Sequence, residues 1–144
     1  MELGTGTSAF EPLLTDQELG LVMGPQGGYH FILHARITEM APGDYLNPAL
    51  PENPITLFQV YTSEGRQIDL QYPPYHIGYM EDSSGPNVYV LPSGRIVQIE
   101  NAEVPGVYGT RLRMVVNVWD TDGKMAWDER WVMVVPYQGS DAGP

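Results

Sequence analysis

Val107-Tyr-Gly-Thr-Arg-Leu-Arg-Met-Val-Val-Asn-Val-Trp119 and Met125-Ala-Trp-Asp-Glu-Arg-Trp-Val-Met-Val-Val135 flank the short segment Asp120-Thr-Asp-Gly-Lys124. Period-two alternation runs through the first arm. Tyr108, Thr110, Leu112, Met114, Val116 and Val118 share one side, while Arg111, Arg113 and Asn117 project from the other. Alternation of this kind belongs to a half-buried strand, because successive side chains of extended backbone point to opposite faces. Asp120 to Gly123 supplies the turn, with glycine available where positive φ is needed. The pair reads as a long hairpin with one solvated side.

Working outward, the same alternation recurs. Tyr29–Glu39 places Tyr29, Phe31, Leu33, Ala35 and Ile37 on a core face, with His30, Ile32, His34, Arg36 and Thr38 opposite. Gly24-Pro-Gln-Gly-Gly28 reads as a tight turn between that strand and Glu18–Met23. Ile55–Thr62 and Gln67–Tyr72 flank a hairpin turn at Ser63–Arg66, and Val88–Leu91 and Ile96–Glu100 flank a second at Pro92–Arg95. Tyr75–Met80 reads as a further strand after Pro73-Pro74, and Pro42 to Pro54 as a loop. Thr15–Glu18 reads as a turn, and no helix longer than one turn is expected.

Composition bounds the rest. The 144 residues suit one domain with a sizeable core, expected over 1–137, with a flexible tail over 138–144. Hydrophobic residues are 42% of the chain, which opposes global disorder. The 16 glycines and 13 prolines are dispersed, as in many short strands joined by turns. Net charge is −11, so nucleic acid and anionic membrane surfaces are not expected partners. No apolar run reaches the roughly 20 residues of a membrane-spanning helix, and no signal peptide is recognisable. With no cysteine, thiolate catalysis, thiolate metal sites and disulfides are excluded.

The segment Val104-Pro-Gly-Val-Tyr-Gly-Thr-Arg-Leu-Arg-Met-Val-Val-Asn-Val-Trp-Asp-Thr-Asp-Gly123 resembles the penultimate strand and turn of bacterial immunoglobulin-like domains. Those often read Pro-Gly-x-Tyr, alternating apolar residues, Asp-x-x-Gly and a closing strand. The resemblance covers about 30 residues and implies an all-β, immunoglobulin-like antiparallel β-sandwich, with Tyr108 forming a tyrosine corner. Glu2-Leu-Gly-Thr-Gly and Gly24-Pro-Gln-Gly-Gly-Tyr-His30 are similar to stretches of uncharacterised exported or lipid-anchored bacterial proteins. That similarity implies an extracytoplasmic setting, in the periplasm or at the cell surface. Met1 before Glu2-Leu-Gly-Thr-Gly-Thr7 reads as a start placed where an export segment has been removed.

No chemical motif passes a geometric check. His30 and His34 have the spacing of a helical zinc pair, but on a strand four residues span about 13 Å, too far to share one ion. Each could join ligands from another strand, such as His76 or a methionine, in a copper-type site. Methionines at alternating strand positions also serve as core filler. Asp120-Thr-Asp-Gly123 lacks the spacing of a calcium loop and suits a turn. Gly24–Gly28 lacks the lysine and helix of a phosphate loop. Tyr72, Tyr75 and Tyr79 lie on a proline-stiffened stretch and, with Gln26, are candidate ligand contacts. Trp127 and Trp131 share a face, and Trp119 lies on the side of Arg111 and Arg113. The serines lack a nucleophile elbow and no carboxylate pair stands out, so the chain is not expected to be an enzyme. The expected function is a binding or structural module contacting a protein or glycan, as a monomer or weak oligomer. The alternative is an extracytoplasmic transition-metal protein; otherwise no cofactor is expected.

Overall fold

The computed structural model describes residues 1–25 and 27–137. The tail over 138–144 and Gln26 lie outside the described residues. The long hairpin is present as β10 (Arg111–Trp119) and β11 (Met125–Pro136), in antiparallel register from Arg111 opposite Met133 to Trp119 opposite Met125. Leu112, Met114, Val116 and Val118 are at most 1% exposed, so the apolar side of β10 is the core side. The strand starts later than its pattern suggested. Asn101–Glu103 forms a 3-10 turn, Val104–Val107 a single helical turn (α1) with Pro105 near its start, and Gly109 a positive φ of 76°.

Tyr108 therefore precedes the strand. Its ring is 37% exposed, and its hydroxyl makes no hydrogen bond among the described residues. The expected tyrosine corner is absent there, because the helical turn leaves Tyr108 at the surface rather than folded against the chain upstream.

β4 (Tyr29–Thr38) is the second spine. Phe31, Leu33, Ala35 and Ile37 are fully buried, as the alternation requires. β3 (Gln17–Met23) turns into it through Gly24–Gly28, where the Gly24 amide donates to the Gly28 carbonyl at 2.6 Å and Gly27 has φ 87°. β1 (Glu2–Thr5) lies antiparallel to β4 and carries the short β2 (Glu11–Pro12) on its other edge. This N-terminal ribbon is tied across the core. Asp128 accepts the Leu3 amide at 2.8 Å, and Arg130 donates from Nε to the Leu13 carbonyl at 3.0 Å.

Three expectations are corrected. The sheet is mixed rather than wholly antiparallel, since Gln17–Leu21 of β3 runs parallel to Val132–Pro136 of β11. Asp16, at φ 62°, donates its amide to the Trp131 carbonyl and sends the chain alongside β11 in the same direction. Next, β8 (Val88–Val90) and β9 (Arg95–Ile99) do not form a hairpin; both pair antiparallel with β4, at Arg36–Thr38 and Tyr29–Leu33. Pro92-Ser-Gly94 is thus a detour within one line of pairing. Gly94 is required there, because a side chain would collide with the Gly6 carbonyl.

The third correction concerns Gln67–Tyr72, which is not a strand. The turn after β5 (Ile55–Thr62) forms as read, with the Thr62 amide donating to the Arg66 carbonyl. The returning chain then leaves β5 for β9. Ile68 donates to Val60, Asp69 Oδ1 accepts the Val60 amide, and Leu70 donates to Gln98. Tyr75–Met80 reduces to β6 (Tyr75–His76), on β5, and β7 (Met80–Glu81), on β8. The result is an all-β fold, a mixed sheet running β2-β1-β4-β3-β11-β10-β5-β6, with β8 and β9 on the free edge of β4. It curls as a half-barrel around one core. No described helix is long and apolar enough to cross a membrane.

Candidate functional site

The residues singled out from sequence do not converge. Tyr79 is 2% exposed, with its hydroxyl 2.7 Å from Thr56 Oγ1, and burial pushes its ionisation well above the usual range. It is a core residue rather than a displayed one, held by its amide donating to the Pro42 carbonyl at 2.8 Å and by its hydroxyl at Thr56. Tyr75 is half-buried and donates to the Ile96 carbonyl at 2.8 Å; burial raises its pKa while Arg95 opposes the rise. Tyr72 is exposed. Tyr72 and Tyr75, with Pro73, Pro74, Ile96 and Gln98, line a cleft of about 150 Å³ between β5 and β9. It is smaller than the roughly 300 Å³ at which ligand pockets begin. A larger open hollow of about 680 Å³ lies where β1, β3 and β4 meet, lined by His30, Ile32, Met23, Glu11 and Tyr137 among others.

The histidines occupy three environments. His30 lines that hollow, half-buried, and burial lowers its pKa. His34 is 1% exposed, which corrects its expected place on a solvated face. The β1–β2 ribbon brings Phe10 edge-on to its ring at 5.5 Å, with Arg36 over the Phe10 face at 4.5 Å. Gly4 permits this, since a side chain there would collide with Phe10. His34 Nδ1 accepts the Ala35 amide at 3.0 Å, and burial lowers its pKa despite that bond, with Arg95 adding to the lowering. His76 sits on β6 at the opposite end of the strand order, with Nε2 3.2 Å from the Pro51 carbonyl. Among the described residues no three His, Asp or Glu side chains gather into a metal-holding group.

The Asp120 turn is occupied by its own backbone. Oδ1 accepts the amides of Asp122 and Lys124, and Oδ2 accepts that of Ala41 at 2.9 Å. Burial opposes ionisation of this carboxyl, yet these three donors and nearby Lys124 outweigh it and hold the pKa below the usual value.

The outward side of β5, β10 and β11 is the most distinctive surface. Register aligns Ile55 with Trp119 and Met125, and Leu57 with Asn117 and Trp127. Ile55 is 37% exposed, Trp119 40%, Met125 54% and Trp127 57%. Three strands about 4.8 Å apart bring these side chains into one apolar patch. Monomeric domains seldom leave such a contiguous patch open without an interaction to cover it. The other end of the same face differs. Arg111 lies 4.9 Å above the Trp131 ring and pairs with Asp16 at 2.8 Å. Arg113 lies 4.5 Å above Tyr61 and pairs with Glu129 at 3.0 Å. Each aromatic ring there carries a guanidinium, and each guanidinium a carboxylate.

The tryptophans were legible in the sequence, but Ile55 and Leu57 were not placed beside them. Each side of their strand mixes apolar and polar residues (Ile55, Leu57, Gln59 and Tyr61 outside; Thr56, Phe58, Val60 and Thr62 inside), so alternation marked its outer face only weakly. No family model and no curated protein matches the sequence.

Proposed function

We propose that this chain is a non-enzymatic binding module that docks a partner on the Trp119–Trp127 end of the outer sheet face. The observation that carries the reading is the register-aligned patch in which exposed Ile55, Trp119, Met125 and Trp127 surround the half-buried Leu57 on one sheet face. Interface centres are enriched in tryptophan and methionine and depleted of charge, which is the composition of this end. A strand face also suits the role mechanically, since both hydrogen-bonded edges of β10 hold the side chains at fixed spacing.

We read the fold as immunoglobulin-like at the finer level. Support comes from β3, which lies parallel to β11 and then antiparallel to β4, and so joins the two halves of the sheet. The order β11-β10-β5 on one side, with β4 and β9 on the other, is consistent with the two packed halves of such domains. An exported setting rests on the sequence resemblance of the N-terminal stretches.

The test is to probe wild type and Trp119→Ser/Trp127→Ser on peptide and glycan arrays, after checking that both melt at the same temperature. The expected result is specific peptide signal that the double variant loses. Glycan signal lost in the same way would assign the face to a sugar. Identical array profiles for the two proteins would overturn the reading.

A further inference from the structure

The partner's chemistry can be narrowed from the charge around the patch, and the step rests on the docking reading above. Most basic side chains are turned to the molecule's own carboxylates. Arg36, Arg66, Arg111, Arg113 and Arg130 each pair with carboxylates. Arg95 lies 5.3 Å from the Tyr75 ring centre, and Lys124 Nζ donates to the Glu39 carbonyl at 2.7 Å. Against a net charge of −11, carboxylates such as Glu11, Glu18, Glu52, Glu64, Glu81 and Glu100 are exposed and enter no ion pair among the described residues. At the Trp119–Trp127 end the exposed Asp122 sits on the turn joining the two strands, beside the exposed Lys124, whose ammonium is bound to the Glu39 carbonyl.

The face also shows what its aromatic rings do where a cation is within reach. Trp131 and Tyr61 lie under Arg111 and Arg113. Among the described residues no guanidinium covers Trp119 or Trp127. Indole is the ring with the strongest attraction for a cation, and the attraction grows when the cation is desolvated by neighbouring apolar groups. Ile55, Leu57 and Met125 would do that. The overall charge works in the same direction, drawing in a basic partner and repelling a second acidic copy.

We propose that the occupant is a basic protein segment, arginines interleaved with apolar residues, whose guanidinium groups stack on Trp119 and Trp127 while its apolar residues cover Ile55, Leu57 and Met125. The arrangement repeats across an interface what the molecule already does within itself at Arg111 and Arg113. Arginine suits the site better than lysine, because its planar, weakly hydrated head stacks and still donates to a carboxylate such as Asp122.

The experiment titrates the full chain with a short synthetic peptide alternating arginine and leucine, following tryptophan fluorescence and heat. Companion peptides carry citrulline, a neutral group of the same shape, or glutamate in place of arginine. The expected result is binding of the arginine peptide at least about tenfold tighter than of the citrulline peptide, with none of the glutamate peptide. Raising salt should weaken the arginine peptide. Trp119→Leu/Trp127→Leu keeps an apolar patch but removes the ring faces, and should collapse the preference for arginine over citrulline. Trp127→Phe should restore part of it, and Asp122→Asn should weaken the arginine peptide a few-fold.

Equal binding of arginine and citrulline peptides would overturn the cationic partner, as would an arginine preference that survives the double leucine variant. If both peptides bind equally and Trp119→Ser/Trp127→Ser abolishes both, the docking face stands and only its partner chemistry falls. If no peptide or array signal depends on the tryptophans, the docking reading falls too. Self-association by sedimentation that the serine variant loses would name a second copy as the occupant and overturn the proposal.

Discussion

The two sides of β10 run through the same nine residues and do opposite things. Inward, Leu112, Met114, Val116 and Val118 are closed off from water in the core they share with Phe31, Leu33 and Ile37. Outward, the strand begins with arginines that bridge aromatic rings to carboxylates and ends on a bare tryptophan. The difference teaches that exposure of Trp119 and Trp127 is not a shortage of core. The interior is complete without them. A substitution on one side should cost stability, and on the other recognition.

The largest effect is expected inside. Met114→Ala removes a fully buried side chain and should cost about 2–5 kcal/mol in denaturant unfolding. A loss below about 1 kcal/mol would show that the inner side is not the core of the hairpin. Asp120→Ala comes next. It leaves three backbone donors without their acceptor at the end of the ribbon, a cost of about 1–3 kcal/mol. Because the folded pKa lies below the ordinary value of 3.8, this stabilisation is present above that value and is lost as pH falls through the folded pKa. Unfolding of wild type between pH 5 and pH 2, compared with the alanine variant, should therefore converge at the acid end.

On the outer side Glu129→Gln unpairs Arg113, whose partner is partly exposed, and should change stability by at most about 1 kcal/mol, less at high salt. Smallest of all, Trp127→Ser should leave the unfolding free energy within about 0.5 kcal/mol of wild type. A larger loss would place Trp127 in the folding core and dissolve the contrast between the two sides.

Legibility in the sequence followed the same division. The core faces of β4 and β10 could be read because period two is a property of extended backbone, visible in one strand alone. β1 escaped, since Glu2-Leu-Gly-Thr5 offers one inward apolar residue, and Gly4 is explained only by Phe10 arriving from outside the strand. His34 reads as outward by alternation and is outward; it is buried because a neighbouring ribbon covers it. Turn chemistry at Pro92–Arg95 read as a reversal, yet the same residues serve a detour after which the chain resumes along β4.

For this protein, then, the amino-acid sequence by itself determined an all-β chain, the apolar sides of β4 and β10, the Asp120 turn and an acidic net charge. All of these depend on neighbours within a few residues or on summed composition. Tertiary structure alone decided the parallel pairing of β3 with β11, the burial of His34 and Tyr79, and the meeting of Ile55 and Leu57 with Trp119 and Trp127. The pairings are matters of register between strands far apart in the chain, where a one-residue slip would turn every side chain to the other face. The two burials depend on distant groups, Phe10 over His34 and Thr56 at the Tyr79 hydroxyl.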